Sequence, residues 1–232
     1  MADDKYLGKL LFAVGLFLLL LAVTMRVGAD SKIDLGASDY ISGNDMNAEN
    51  MIGREVIDKN KKKIGHVKDL LLDKNNKIAF AVVFVGGVHE VNLNKHVAVP
   101  FAEQRIKADQ AEKSLVLNLT LQELGQEPEF KLGESDAAGF EYAISAESLI
   151  GMDVFGKNGT LLGEVKDLIF NNNNDVKYVI VVTSGIVNIS DKLVAAPYHE
   201  LKINKAKESV TLDVTSQELE DAPGFQYRRP RP

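Results

Sequence analysis

The sequence contains no cysteine. Disulfides, thiolate zinc sites, iron–sulfur clusters and cysteine nucleophiles are therefore excluded, whatever the redox compartment, and export from the cytoplasm is permitted. Histidine is scarce: His66, His89, His96 and His199 lack the spacings that place two imidazoles on one helical face. No glycine-rich phosphate loop and no nucleophile elbow is present. Basic residues are in deficit, with 27 Lys and Arg against 33 Asp and Glu and a net charge of −6. Sequence-independent nucleic-acid binding, which draws its affinity from cations that neutralise phosphates, is disfavoured by that balance. Asp73-Lys74-Asn75-Asn76-Lys77 has the Asp and Asn of a calcium loop without its later acidic positions or terminal Glu, and reads as a hairpin turn. No cofactor and no metal is expected.

What is present begins with one long apolar run. Leu10 to Met25 carries no charge, with Lys5 and Lys9 before it and Arg26 after it. A membrane-crossing helix needs about 20 residues to span about 30 Å of hydrocarbon, and this run lies between that and a signal-peptide core. Two fates fit. Val27-Gly28-Ala29 offers small residues for a signal peptidase, and Lys9 and Arg26 could snorkel to extend a retained anchor. Residues 1–29 are thus read as a signal peptide or a transmembrane anchor, with the N-terminus inside and the body extracytoplasmic, periplasmic or at the cell surface.

The remainder is a repeat. The copies open with Ala48-Glu49-Asn50-Met51-Ile52-Gly53 and Ala146-Glu147-Ser148-Leu149-Ile150-Gly151. From Ile52 to Val88 they align without a gap at an offset of 98 residues, with 14 of 37 positions identical, which chance does not produce. Ile64-Gly65-His66-Val67-Lys68-Asp69-Leu70 returns as Leu162-Gly163-Glu164-Val165-Lys166-Asp167-Leu168. A period this long suits a complete small domain and exceeds any solenoid unit. Domains at 48–130 and 146–225 follow, with linkers at 30–47 and 131–145 and a loose Arg- and Pro-rich tail at 226–232.

Short-strand signals fill each copy. Lys157-Asn158-Gly159-Thr160 and Asp58-Lys59-Asn60 read as turns, and the β-rich runs Ile78–Val85 and Val176–Val182 follow turn-like Asp- and Asn-rich segments. A later strand alternates, Leu115, Leu117 and Leu119 in one copy and Val210, Leu212 and Val214 in the other. Thr120 with Glu123, and Thr215 with Glu218, have capping-box spacing, so each copy should end in a short helix stopped near Pro128 or Pro223. The repeated glycines Gly53 with Gly151, Gly65 with Gly163 and Gly87 with Gly185 are assigned to turns or close backbone approach. The expected fold is all-β: two tandem small barrels behind one hydrophobic N-terminal helix, since closure removes exposed sheet edges.

These residues resemble the PRC-barrel family. The resemblance rests on Ala146–Gly151, the Lys157-Asn158-Gly159 turn, Leu162–Leu168, the strand Val176–Val182, their counterparts in copy one, and the proline–aromatic steps Pro100-Phe101 and Pro197-Tyr198. It marks Gly53, Gly65, Asp69, Pro100, Gly151, Gly163, Asp167 and Pro197 as a structural signature with no catalytic residue among them. The family includes the cytoplasmic domain of a photosynthetic reaction-centre H subunit and the C-terminal domain of a ribosome-maturation factor, both non-enzymatic adaptors. The resemblance therefore implies an adaptor or scaffold that binds protein partners, with a subunit of a membrane complex and a small-ligand or lipid-binding protein as alternatives. A homodimer through strand edges or barrel faces fits the same reading. Asp69 and Asp167 stand one per copy, whereas acid–base catalysis needs two carboxylates in one cleft. They are expected to accept backbone hydrogen bonds beside a turn.

Overall fold

The computed structural model describes residues 33–35, 46–86, 93–101, 106–109 (backbone only), 114–131, 144–183 and 192–227. The apolar run Leu10–Met25, His89, Gly87 and Gly185 lie outside them. Among the described residues no helix is long and apolar enough to cross a membrane.

Alternation of apolar residues with turn-forming Asp, Asn and Gly divides each copy into short strands. Copy one runs β1 (Met46–Asn47), α1 (Ala48–Met51), β2 (Glu55–Ile57), β3 (Lys63–Leu72), β4 (Ile78–Val85), β5 (Lys95–Pro100), β6 (Ile106–Asp109), β7 (Ser114–Leu117) and α2 (Leu121–Gln126). Copy two repeats that order as β8 (Ile144–Ser145), α3 (Ala146–Leu149), β9 (Asp153–Phe155), β10 (Leu161–Phe170), β11 (Val176–Val182), β12 (Leu193–Pro197), β13 (Lys202–Asn204), β14 (Ser209–Thr211) and α4 (Ser216–Asp221), with 3-10 turns at Tyr198–Glu200 and Lys205–Lys207. The strand paths are β5-β4-β3-β2-β7-β6 and β12-β11-β10-β9-β14-β13. Pairing is antiparallel except for β2 with β7 and β9 with β14.

Each sheet takes its seventh strand from the other copy. β8, which opens copy two, pairs with β3, and β1, which opens copy one, pairs with β10. The last two residues of each expected linker are therefore strands. The exchange draws both copies around one continuous apolar core, where Val56, Leu70 and Leu115 join Val154, Leu168 and Val210. Phe101 meets Phe170 edge-on across the junction, with ring centroids 5.9 Å apart. Residues 33–232 accordingly form one compact unit.

Both helices after the last strands carry the expected capping box. The Glu123 amide donates to Thr120 Oγ1 at 3.1 Å and the Thr120 amide to Glu123 Oε2 at 2.6 Å; Glu218 and Thr215 do the same at 3.2 and 2.8 Å. These bonds hold the Glu123 carboxyl down at about 2. After each helix the chain recrosses the outer sheet face. Phe130 seals Leu71, Val82 and Ala98, and Phe225 seals Ile169, Ile180 and Ala195.

Candidate functional site

Of the residues singled out by the repeat, Asp69 and Asp167 lie at the junction between the copies. β3 and β10 each contain a bulge, with register shifting between Val67 and Asp69 and between Val165 and Asp167. An extra residue in one strand bends it and re-aims the next side chain. The aspartates are thus strand residues that accept backbone hydrogen bonds, as expected, but they sit at bulges, and each carboxylate meets the arm of the other copy.

Asp69 is buried, at 2% exposure, and accepts from Ser145 Oγ at 2.5 Å, from the Glu147 amide at 2.9 Å and from the Leu70 amide at 2.7 Å. Asp167, fully buried, accepts from Asn47 Nδ2 at 2.6 Å, the Glu49 amide at 2.9 Å, the Leu168 amide at 2.8 Å and the Tyr227 hydroxyl at 2.8 Å. Each aspartate therefore holds the first turn of the other copy's opening helix, α3 or α1. Outside them, Lys68 pairs with Glu147 and Lys166 with Glu49, both at 2.7 Å. Burial raises both aspartate carboxyls above the usual range, against the lowering by their hydrogen bonds. Burial, then the Asp167 charge, pushes the Tyr227 hydroxyl up as well.

The repeated glycines act within their own copies. Gly53 and Gly151 follow α1 and α3 at φ of +83° and +91°, a region that favours glycine. Their amides bond the carbonyls of Val67 and Val165, each at 2.8 Å. At Gly65 a Cβ would stand 1.8 Å from the Phe84 carbonyl oxygen, and at Gly163 2.1 Å from that of Val182. No side chain fits there. Pro100 and Pro197 end β5 and β12 and lie away from the aspartates, opposite Phe80 and Tyr178; the Phe101 and Tyr198 that follow them are buried.

Sequence reasoning overlooked the partners: Asn47 and Ser145 lay in segments read as linkers, and Tyr227 in the tail. It also passed over Lys95 and Lys192. Lys95 Nζ donates to the Gly125 and Glu127 carbonyls at 2.9 and 2.6 Å, and Lys192 Nζ to those of Glu220 and, at 2.8 Å, Ala222. Both ammonium groups satisfy carbonyls at the end of the terminal helix, where cations are favoured. Their recurrence in both copies was the available signal. Among the described residues no three of His, Asp and Glu gather as metal ligands. His66 and His96 instead flank Phe84 on the outer face of copy one, each ring centroid 5.3 Å from it. Burial, followed by the Lys68 charge, lowers the pKa of His96.

Residues 43–112 and 142–219 each match the PRC-barrel domain model, together more than half of the chain. The chain belongs to the PRC-barrel family. Both matched segments begin before the opening arms, so the exchanged strands β1 and β8 fall within the PRC-barrel pattern. No curated protein matches the chain in sequence. Solved structures similar to this PRC-barrel protein include one described as the 16S ribosomal RNA processing protein RimM from Pseudomonas aeruginosa. The likeness covers 65% of this chain and 98% of that one, at 14% identity and a TM-score of 0.26.

Proposed function

We propose that this chain is a non-catalytic adaptor that binds other proteins through its two PRC-barrel copies, with its body outside the cytoplasm. The observation that carries this reading is a contrast between interior and surface. Polar residues shared by the copies, Asp69 with Asp167 and Lys68 with Lys166, are occupied in holding the copies together. The outer sheet faces differ: His66, Phe84 and His96 on copy one stand where copy two has Glu164, Val182 and Leu193. A common scaffold with unlike faces suits a protein that presents distinct surfaces to partners, because sequence on a solvated face is free to follow the partner. Anchoring by Leu10–Met25 would make it an accessory subunit of a membrane complex, and that apolar run is what favours this second reading.

A photo-crosslinking residue at His66, with one at Glu164 for comparison, tests the adaptor reading in cells, followed by reconstitution with the purified crosslinked protein. Specific binding that Phe84→Lys weakens at least tenfold, while Val182→Lys leaves it intact, supports the adaptor. Absence of any saturable partner, together with substrate turnover by the purified chain, would overturn it. Stoichiometric co-purification with membrane proteins through an uncleaved N-terminus would favour the subunit reading.

A further inference from the structure

The backbone and arm contacts at the junction between the copies follow the rule of a two-fold dimer interface, in which a contact from i to j is matched by one from j to i. The Ile78 amide donates to the Asn174 carbonyl and the Val176 amide to the Asn76 carbonyl, both at 2.9 Å, and each of these pairs is related by the 98-residue offset. The arm contacts obey the same relation: what Ser145 and Glu147 give Asp69, Asn47 and Glu49 give Asp167. On such an axis a position meets its own equivalent. Lys77 and Asp175 are equivalents, they form an antiparallel bridge with each other, and Lys77 Nζ lies 3.1 Å from Asp175 Oδ1.

We propose that the Lys77–Asp175 pair on the pseudo-two-fold axis directs copy one to pair with copy two, and keeps each copy from pairing with its like in another chain. In a pairing of like copies the arm contacts would keep their form, because each arm offers the facing aspartate one side-chain donor, Asn47 or Ser145, and one backbone amide, Glu49 or Glu147. The axis would not. It would set lysine against lysine, or aspartate against aspartate, and like charges directly opposite across strands are destabilising. Lys77 also holds the Asp175 carboxyl below its usual range, in keeping with an attractive pair. Phe101 on Phe170 is a second unlike contact, since their equivalents are Tyr198 and Leu72, but it is apolar on both sides and penalises neither arrangement by charge.

The test uses the full-length chain with a protease site inserted between Lys131 and Ile144. After cleavage the halves are unfolded together in urea, refolded at low salt and weighed by native mass spectrometry. The parent should return mixed dimers, one half of each kind, in at least tenfold excess over like pairs. Lys77→Asp, which places carboxylates on the axis in every pairing, should bring the products to the statistical mixture, and the double variant K77D/D175K should restore mixed dimers. Circular dichroism of each refolded sample separates loss of selectivity from loss of folding. A Lys77→Asp sample that still refolds mainly to mixed dimers, or parent halves that refold to like pairs or monomers, would overturn the proposal.

Discussion

At the scale of the residue, the two aspartates show how burial and hydrogen bonding compete. Desolvation raises both carboxyls and three or four donors work against it. Removing the acceptor leaves those donors buried without a partner, at about 1–3 kcal/mol. Asp167→Leu should therefore destabilise the chain by that amount and Asp167→Asn by less, because the amide keeps one acceptor oxygen; urea midpoints of the two variants check it. The pH dependence has a definite sign. A carboxyl raised in the folded state holds its proton more tightly there than in the unfolded chain, so its contribution to stability falls as pH climbs from the ordinary value of 3.8 through the raised one. The stability of the parent relative to D69N/D167N should accordingly decline as pH rises above the ordinary carboxyl value of 3.8. Glu123 behaves oppositely: its stabilisation is present above the ordinary 4.5 and is lost as pH falls towards about 2.

Among elements, the terminal helices are held at both ends by side chains that recur in each copy. At α4, Thr215 and Glu218 satisfy the first turn, and Lys192 the last carbonyls. Thr215→Ala should cost about 1 kcal/mol. Lys192→Met removes charge-assisted bonds and should cost about 1.5–3 kcal/mol. Both changes should also speed amide exchange in β12, since Phe225 donates its amide to the Leu193 carbonyl at 2.7 Å from the segment that α4 positions. Local elements were legible because their causes are local: β4 and β11 begin and end where the β-rich runs do, and both capping boxes form at the expected spacing. The arms were not. A two-residue strand has no periodicity to read, and because the copies share Lys-Asp-Leu and Ala-Glu, nothing in the sequence distinguishes an arm docking on its own copy from one docking on the other. The Ser145 hydroxyl reaches Asp69, 76 residues back, while Asp167, its counterpart in the same copy, receives Asn47 from 120 residues away.

For the molecule as a whole, exchanged arms imply that neither copy is complete alone. β3 is finished by β8 and β10 by β1, and the core passes through the junction without interruption. Contiguous cores and shared sheets unfold cooperatively, whereas beads joined by a linker unfold independently. Hydrogen exchange of the full-length chain across a urea series, read by mass spectrometry on peptides from β4 and from β11, measures this directly. The account predicts a single transition for both peptides, with Asp167→Leu, a change in copy two, shifting the β4 transition as far as the β11 transition. Two separate transitions, with β4 unmoved by Asp167→Leu, would contradict it.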